Sequence, residues 1–413
     1  MAEPLTILVA ARDEEARIET TVRMLLDAFP DADVLVADDG SRDATAAAAE
    51  RAGARVARLP RLGKGQALTL AERAAAPGPL LLCDADLEGD LSPLLDGGDL
   101  TIAAFAERQG GGFGIAKRTA GALVKALCGF EAREPLSGQR ALSPAAREAC
   151  FPLAPGFGCE VRMTIDARHA GLRVEERELP LHHRATGRDA RGFLHRGRQL
   201  IDAVLACGPT ALNHRGLRLP LVGALVAVGG PGAPRRVRLG VAAIALIGLA
   251  DDLWSGPERG FRAHLRTRRT TGALKAVGIP LVALATTRSL SSAALVSLSA
   301  NALNLLDTRP GRALKVFLAA AELLRGPTRA YLPIAVLLAP YDLREMTMLG
   351  DAGSNALGGV LGYGSVTRFT ARGRRLAIAA LAGLTIVGET RSLGDVIERT
   401  PWLRALDRLG RPA

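Results

Sequence analysis

The stretch PLLLCDADLEGD at residues 79–90 decides how the first half of the chain is organised. Its apolar run, residues 80–83, predicts a short buried strand, and three carboxylates follow at alternate positions, Asp84, Asp86 and Glu88. Open α/β sheets bind ligands at the carboxyl ends of their strands, and alternate spacing aims side chains to one side of an extended chain. Oxygen ligands suit a hard divalent cation. The stretch therefore predicts a metal site, with a polar loop that only ends a strand as the alternative.

The residues before this stretch predict a parallel sheet. Apolar strands are expected at residues 5–10, 34–37 and 55–59, and each is followed by a helical pattern. Such alternation is typical of a doubly wound sheet, in which the ends of successive strands meet at one edge. Asp38 and Asp39 follow the second strand, so we expect them to share this edge with Asp84 and to hydrogen-bond a base or ribose.

The loop Gly63-Lys64-Gly65 places a positive charge between the two acidic strand ends in the sequence. It has neither the spacing of a P-loop nor that of a G-x-G-x-x-G fingerprint. The acidic pairs and this loop together predict a nucleoside-diphosphate site of another kind, with the metal on the diphosphate.

Composition narrows the class of partner. The formal net charge is +11, from 53 Lys and Arg against 42 Asp and Glu, while aromatic residues make up only 4% of the chain. Stacking platforms for single-stranded nucleic acid are therefore largely missing, and we expect no nucleic-acid partner. The positive charge suits phosphate-bearing substrates or anionic lipid. The five cysteines include no C-x-x-C pair and read as reduced thiols in a cytoplasmic setting.

Six motifs in the first half occur in a recognisable order: ILVAARDEEARI, VADDGSRDAT, GKGQAL, DADLEGD, PLSGQRALSP and GFGCEVRMTIDARHAGLRVEE. This half, about residues 4–205, resembles a family 2 glycosyltransferase of the GT-A fold, and is most similar to the branch with polyprenyl-phosphate sugar transferases. The resemblance implies a doubly wound, Rossmann-like mixed sheet. It also implies a nucleotide-sugar donor, Mg²⁺ or Mn²⁺ as cofactor, and inverting transfer in one displacement at the anomeric carbon.

The resemblance also implies roles for particular residues. The residues expected at the nucleotide sugar are Ala10, Arg12, Glu14, Asp38, Asp39, Lys64 and Asp84. The residues expected at the metal are Asp84, Asp86 and Glu88. The residues expected to take part in catalysis are Asp86, Arg140 and Glu160. Arg140 would reach a phosphate, and Glu160 would lie at the acceptor side, where a hydroxyl acceptor needs a base and a lipid phosphate does not.

The composition changes near residue 210, which predicts domains at residues 1–208 and 209–413. The second half consists of Ala/Leu/Val-rich runs separated by Arg-rich connectors such as residues 235–238 and 262–269. It predicts an all-α polytopic membrane domain with basic cytoplasmic loops. The protein is accordingly expected in the inner membrane as a multi-pass protein, with its first domain cytoplasmic. The alternative is a soluble helical domain with an apolar core.

Acidic residues again end apolar runs in the second half, and a carboxylate at membrane depth indicates function. The stretch MLGDAGSNALG and an Asp-Asp pair resemble the polyprenyl-phosphate sugar-1-phosphate transferases, membrane enzymes that use Mg²⁺. Two departures stand against this resemblance: NLLDTRPGRALK replaces a more acidic pattern, and no histidine follows His264. The candidate residues of this second site are Asp251, Asp252, Asn304, Asp307 and Asp351.

The expected function is metal-dependent transfer of a sugar from a nucleotide sugar to a polyprenyl-phosphate or other lipid-linked acceptor, or to another polar acceptor, in cell-envelope glycan or glycolipid synthesis. Membrane lipid is the further expected partner. Two alternatives concern the second half. It either transfers a sugar 1-phosphate from a UDP-sugar to polyprenyl phosphate, which would release UMP and not UDP, or serves as a non-catalytic lipid-binding anchor.

Overall fold

The computed structural model describes residues 3–105, 114–181, 190–254, 270–390 and 393–411. The chain divides into two compact units, Met1–Leu219 and Pro220–Ala413. The connector at residues 262–269, expected to be a cytoplasmic loop, lies outside the described residues.

The first unit extends past residue 208 because a short hairpin belongs to it. Strands β8 (Thr210–Leu212) and β9 (Arg218–Pro220) form this hairpin. Its turn is held by Arg73, whose Nη2 donates to the carbonyl oxygen of Arg215 at 3.0 Å, and Arg218 forms an ion pair with Asp166. The change in composition therefore precedes the structural boundary.

The first unit is built on a mixed sheet. Within the described residues its strands run in the order β3-β2-β1-β4-β6-β5-β7. Strands β1 to β4 are mutually parallel where they pair, β6 is antiparallel to β4 and to β5, and β7 is parallel to β5. The strand bounds are β1 Thr6–Ala11, β2 Asp33–Asp38, β3 Arg55–Arg58, β4 Leu80–Asp84, β5 Leu100–Phe105, β6 Arg140–Leu142 and β7 Val174–Leu179. The predicted α/β fold with a mixed sheet is confirmed.

Helices cover both faces of this sheet. Leu81 of β4 belongs to a core shared with α1 and α2, whereas Leu80 and Leu82 belong to a core shared with α3, α5 and α6. A strand covered on both faces is apolar at every position, which explains the unbroken run LLLC. The helices are α1 Ile18–Ala28, α2 Thr45–Arg51, α3 Lys64–Glu72, α4 Ile115–Cys128, α5 Pro144–Cys150, α6 Cys159–His169 and α7 Ala190–Ala206, with 3₁₀ turns at Ser92–Asp96 and Gly156–Gly158.

The second unit is helical wherever the structure describes it in regular elements. Helix α13 is buried along most of its length and packs against α8 and α10. The helices are α8 Arg235–Trp254, α9 Thr270–Thr287, α10 Leu290–Leu306, α11 Arg312–Leu324, α12 Leu332–Leu343, α13 Gly350–Arg368, α14 Ala371–Thr390, α15 Leu393–Arg399 and α16 Pro401–Arg408, with 3₁₀ turns at Gly223–Val228 and Gly326–Tyr331.

None of the described helices is by itself both long enough and apolar enough to cross a membrane. One pair, Ala371–Gly388 and Leu393–Arg399, meets the length and composition requirement jointly and is bent by 92°. The polytopic membrane domain stays a prediction.

Candidate active site

The ends of three neighbouring strands form the edge that the sequence predicts. In the register of the sheet, Ala11 at the end of β1 lies opposite Asp38 of β2, and Ala10 lies opposite Asp84 of β4. Asp38 and Asp84 are thus separated by a single strand. The expectation that the two acidic strand ends lie together is confirmed. We call the edge formed by the carboxyl ends of β1, β2 and β4 the rim.

Strand β6 adds a second approach to this rim because it runs in the opposite direction. Arg140 at its start pairs with Leu82 of β4, so the residues just before β6 lie beside the end of β4. Gln139 uses this position, and its Nε2 donates to Asp84 Oδ2 at 2.9 Å. Gln139 is a site residue that sequence reasoning missed, although the SGQR motif contains it.

A half-buried lysine joins two carboxylates at the rim. Lys64, the first residue of α3, places its Nζ 2.6 Å from Asp84 Oδ1 and 2.8 Å from Glu160 Oε1. We call Lys64, Asp84, Gln139 and Glu160 the rim cluster. Burial alone would lower the pKa of Lys64, but the two carboxylates outweigh burial and raise the pKa well above its ordinary value. The lysine is therefore a fixed positive charge.

Glycine at position 138 is required by the closeness of these groups. A Cβ there would lie 2.5 Å from both Asp84 Oδ2 and Lys64 Nζ, a distance that no ordinary contact allows. The rim cluster consequently depends on a backbone without a side chain at this point.

Asp86 extends the acidic strand end toward solvent. Ala85 and Leu87 are buried in the core, Asp86 is half-buried and Glu88 is exposed, so the carboxylates alternate with apolar residues as predicted. Asp86 forms no ion pair with any described residue, in contrast to Asp84. A carboxylate without a cation beside it is available to an external one.

The donor set at this strand end fits a divalent cation that also binds substrate. Mg²⁺ usually takes one or two carboxylates from the protein and completes its coordination with water and phosphate oxygens. Asp84 and Asp86 are the two carboxylates that this strand end offers. Across the described ranges, no three His, Cys, Asp or Glu side chains gather closely enough to hold one ion. Glu88 is exposed, and its place as a third ligand stays a prediction.

The two aspartates at the end of β2, Asp38 and Asp39, have different roles. Asp38 is buried, and its Oδ1 accepts from the amide of Ser41 at 3.0 Å. Asp39 Oδ1 accepts from the amides of Leu62 at 2.6 Å and Gly63 at 2.9 Å, and so fixes the loop that presents Lys64. Burial raises the pKa of Asp39, although these amides and nearby guanidinium groups oppose the rise. Asp39 thus supports the loop, and its expected contact with a nucleotide stays a prediction.

The loop after β1 is held against the loop after β2. The amide of Glu14 donates to Thr45 Oγ1 at 2.8 Å, and the carboxylate of Glu14 pairs with Arg17 at 2.8 Å. Arg12 keeps more than a third of its side chain exposed beside Asp13, at 3.7 Å. Arg12 remains accessible to a ligand at the rim, whereas the carboxylate of Glu14 already has a cation.

Guanidinium groups also crowd beside this rim. Repulsion from Arg12, with burial and then Arg42 and Arg198, lowers the pKa of Arg61 from its ordinary value, and the carboxylate of Asp39 only partly offsets this. Arg61 and the three guanidinium groups that act on it make a positive patch. Sequence reasoning missed Arg42 and Arg61, because they lie in separate loops, and assigned the positive charge of Arg198 to a lipid-facing surface.

Arg140 occupies a different place from the one expected. Its side chain is fully buried, with Nε donating to Ser137 O at 2.8 Å, Nη1 to Thr164 Oγ1 at 2.9 Å and Nη2 to Pro135 O at 3.1 Å. Burial lowers the pKa of this guanidinium. The expectation that Arg140 reaches a phosphate is corrected, because its donors are directed into the protein, where they shape the loop that carries Gln139.

Glu160 is likewise an internal group. It is buried, with one oxygen on Lys64 and the other accepting from Cys159 Sγ at 3.1 Å. A base for an acceptor hydroxyl needs a free lone pair within hydrogen-bond reach of that hydroxyl. The structure gives Glu160 the role of anchoring Lys64 in place of the acceptor-side role expected from the sequence. The basic stretch at residues 182–184 lies outside the described residues.

A second group of polar side chains lies within the helical unit. Lys275 Nζ is 2.7 Å from Asp351 Oδ2 and 3.8 Å from Asp251 Oδ2. With its amide oxygen turned to Lys275, Asn304 accepts from Nζ at 2.9 Å and donates to Asp351 Oδ1 at 2.7 Å. Asp252 accepts from the amides of Asp351 at 2.8 Å and Ala352 at 2.9 Å. The helix cluster comprises Asp251, Asp252, Lys275, Asn304 and Asp351.

The helix cluster brings together four of the five residues predicted for a second site. Asp307 follows the end of α10 and forms no hydrogen bond or ion pair with the other four. The helix cluster contains a lysine that the sequence interpretation had not included. Its ammonium lies where carboxylates would otherwise converge on a cation.

Comparison with known proteins identifies the class of the first unit. Residues 6–91 match the family model described as Glycosyl transferase family 2. The matched segment contains strands β1 to β4 and carries Asp38, Lys64, Asp84 and Asp86. This part of the chain is thus similar to the family 2 glycosyltransferases, a class of nucleotide-sugar glycosyltransferases.

Particular relatives cover parts of the chain. It is 30% identical over 177 residues to Glycosyltransferase AglJ of Haloferax volcanii, a match that covers 38% of this chain and 56% of that protein. The chain thus spans little more than half the length of this relative.

Solved structures similar to the chain include glucosyl-3-phosphoglycerate synthase from Mycobacterium tuberculosis. Its complex with Mg²⁺ and uridine diphosphate is 26% identical, covers 53% of this chain and 87% of that one, and has a TM-score of 0.42. Its complex with Mn²⁺, UDP-glucose and phosphoglyceric acid is 26% identical, covers 51% and 84%, and has a TM-score of 0.40.

Proposed function

We propose that the protein transfers a sugar, with inversion, from a nucleoside-diphosphate sugar to a phosphate-bearing, lipid-linked acceptor, and that it uses Mg²⁺ or Mn²⁺. The observation that carries the proposal is the pair Asp84 and Asp86 at the end of β4, on the rim that Asp38 also reaches. The domain match over residues 6–91 supports the donor class.

The chain's own residues divide the work at this rim. Asp84 and Asp86 would hold the cation, which when bound neutralises the charge that develops on the leaving diphosphate. Asp38, one strand away from Asp84, would hydrogen-bond the base or ribose. Lys64 supplies a further positive charge, because its pKa keeps it protonated. A phosphate acceptor is already a nucleophile, so it needs no base, which agrees with the burial of Glu160.

The positive patch of Arg12, Arg42, Arg61 and Arg198 supports a phosphate on the acceptor. Crowded guanidinium groups favour an anionic ligand, since binding one relieves their repulsion. We propose Arg61→Gln as its test, with polyprenyl phosphate in detergent and glycerol phosphate as the two acceptors. The KM for the acceptor is expected to rise about tenfold or more with kcat less affected; an unchanged KM for both acceptors would remove the patch from the proposal.

The main test uses purified full-length protein, Mg²⁺ or Mn²⁺ and a panel of nucleotide sugars. Transfer or slow donor hydrolysis is expected with one of them, and Asp86→Ala should abolish it. Asp31→Ala is the matched control, because this exposed aspartate precedes β2 and so lies at the opposite edge of the sheet. The proposal would be overturned if Asp86→Ala kept both its activity and its nucleotide binding, or if the natural protein reacted with none of the nucleotide sugars.

We also propose that the helical unit associates with membrane lipid and so brings a lipid-linked acceptor to the enzyme. Helix α8 exposes Leu239, Leu246 and Leu253 at a spacing of seven residues, which places them on one face. Its first turn carries the exposed Arg235 and Arg236. An apolar face that begins with basic residues suits an anionic lipid surface.

Flotation with vesicles tests this membrane role. Binding to vesicles with phosphatidylglycerol, and weaker binding to phosphatidylcholine alone, is expected of the full chain. A Leu239→Glu, Leu246→Glu double variant should bind less, whereas an Ala double variant at the same positions should bind nearly as before. Equal binding by both variants would count against this face.

The alternative of sugar-1-phosphate transfer by the helical unit is separated by the released nucleotide. Transfer at the rim releases a nucleoside diphosphate, whereas transfer of a sugar 1-phosphate releases a nucleoside monophosphate. Monophosphate release that is lost in Asp351→Asn would favour the alternative over the lipid-anchor role.

A further inference from the structure

Both carboxylate oxygens of Asp84 already have donors. Oδ1 is bound by the ammonium of Lys64 at 2.6 Å and Oδ2 by the amide of Gln139 at 2.9 Å. Only a third of the Asp84 side chain is exposed, and the backbone of Gly138 lies close to both Oδ2 and the ammonium of Lys64. A cation that uses Asp84 Oδ1 therefore competes with the ammonium of Lys64, which is of the same sign and already lies at this oxygen.

Lys64 cannot leave the rim when it is displaced. Glu160, which is 3% exposed, binds the same ammonium at 2.8 Å and is itself fixed by Cys159. Removing a lysine wholly from two carboxylates at a half-buried site would leave an uncompensated charge. The ammonium thus has one permanent partner, Glu160, and one exchangeable partner, Asp84.

The charges at the rim make the exchange of the Lys64 ammonium for a metal ion at Asp84 depend on a bound nucleoside diphosphate. The cluster of Asp84, Glu160 and Lys64 carries one net negative charge, so a divalent cation brought to Asp84 lies close to an ammonium of the same sign. A diphosphate at the rim attracts both positive groups and relieves this repulsion. Metal and diphosphate should therefore strengthen each other's binding.

We propose that Lys64 is a positioning residue that couples the metal to the donor. When no nucleoside diphosphate is bound, the ammonium of Lys64 binds Asp84 at the position that a metal ion would otherwise take. When a nucleoside diphosphate binds, the ammonium moves to the diphosphate while Glu160 retains it, and Asp84 Oδ1 becomes free for the metal. The inference rests on the proposed function, since it assumes a diphosphate donor and a metal at Asp84 and Asp86.

The test is Mn²⁺ binding to the full chain, followed by the electron paramagnetic resonance of free Mn²⁺, with and without UDP or GDP and corrected for chelation in buffer. For the unaltered protein the diphosphate should tighten Mn²⁺ binding at least about tenfold, within the usual range of coupling between sites. Lys64→Met should bind Mn²⁺ about tenfold more tightly without nucleotide and lose most of the coupling. Lys125→Met, which breaks an exposed lysine–carboxylate pair on α4, should change neither.

A second variant separates displacement of the ammonium from a simple change of net charge and protects against misfolding. The double variant Lys64→Met, Glu160→Gln keeps the same net charge as the natural cluster and leaves no buried carboxylate unpaired. It should still bind Mn²⁺ at least about fivefold more tightly without nucleotide. A structural role alone would leave Mn²⁺ affinity and coupling unchanged.

Two results would overturn the inference, and they differ in what else they overturn. If the natural protein binds Mn²⁺ and a nucleoside diphosphate but the folded double variant keeps its affinity and coupling, only the role of Lys64 fails. If the natural protein binds neither Mn²⁺ nor any diphosphate, the proposed function fails with it.

Discussion

The rim cluster and the helix cluster are made of the same kinds of group, yet they are built for different ends. Each has a lysine between carboxylates, an amide side chain beside them, and a glycine that permits the close approach. At Gly138 an added Cβ would meet Asp84 and Lys64, and at Gly350 it would lie 2.7 Å from Asp252. The shared chemistry does not by itself decide which of them is a binding site.

The two sites differ in which of their carboxylates can bind an external ligand. At the rim, Asp86 has no cation among the described residues and Asp84 lies at the open end of a strand. In the helix cluster, both carboxylate oxygens of Asp252 accept hydrogen bonds from the first amides of α13. The carboxylate of Asp351 forms an ion pair with Lys275 and accepts a hydrogen bond from Asn304. A carboxylate that caps a helix stabilises the fold and has little left for a ligand.

The largest expected effect separates the clusters by activity. Asp86→Asn should lower glycosyl transfer at least about 100-fold, because the aspartate holds the cation at the developing charge. Asp351→Asn should leave transfer within about threefold of the natural rate, since its partners are internal. Steady-state kinetics with the preferred donor measure both. A strong loss in Asp351→Asn with full expression and folding would break the comparison.

The next effect concerns where metal and nucleotide stabilise the chain. Mn²⁺ and the donor diphosphate, each at about 100 times its dissociation constant, should together stabilise the first unit by at least about 5.4 kcal/mol, about 2.7 kcal/mol from each ligand, and the helical unit not at all. The sequence offers separate probes, because all five cysteines precede residue 208 and both tryptophans follow residue 253. Thiol labelling during denaturation reports on the first unit, and tryptophan emission reports on the second. If the ligands also stabilised the helical unit, as followed by tryptophan emission, this would contradict the interpretation that the carboxylates of the helix cluster bind no ligand.

A smaller effect tests the structural role assigned to the helix cluster. Asp252→Ala should destabilise the helical unit by about 1–2 kcal/mol, because it leaves two amides at the start of α13 without an acceptor. Tryptophan emission in urea measures it. Glu322→Ala, at an exposed ion pair, is the control and should cost less than about 1 kcal/mol. A stable Asp252→Ala variant that loses activity would instead place Asp252 in a reaction.

The smallest expected effect is a constant difference across pH. The pKa of Lys64 is raised in the folded state, so its contribution to stability is fully present below the ordinary lysine pKa of about 10.4 and is lost only as pH rises through the folded value. The difference in unfolding free energy between the natural protein and Lys64→Met should therefore not change between pH 7 and 9. A decline within that window would show that the ammonium is less firmly paired than the distances indicate.

Sequence reasoning predicted local features well. The run LLLC and the carboxylates after it predicted β4 and its acidic end, because a buried parallel strand is apolar throughout and polar where it stops. The shared rim of Asp38 and Asp84 followed from parallel order alone. The partners of Lys64 did not, because Glu160 reaches it only through the packing of α6, and no local pattern encodes that packing.

The residues that were misplaced share one physical cause. Arg140 and Glu160 are charged, and a charged residue in a motif is readily expected at a ligand. Their burial depends on tertiary contacts, because Arg140 donates hydrogen bonds to Pro135 and Thr164, and Glu160 forms an ion pair with Lys64. Gln139 was overlooked beside Arg140 because the antiparallel direction of β6, which delivers it to Asp84, has no signature in so short a strand.

The position of β4 in the sheet has a consequence for local unfolding. It lies between β1 and β6, with both faces covered, whereas β3 and β7 are the edge strands. Amide hydrogens of β4 should exchange with solvent only by near-global opening, while those of β3 should exchange through cheaper fraying. The backbone that carries Asp84 is thereby kept in register when the edge strands open, so the first carboxylate of the proposed metal site keeps its position longer than the edges of the sheet.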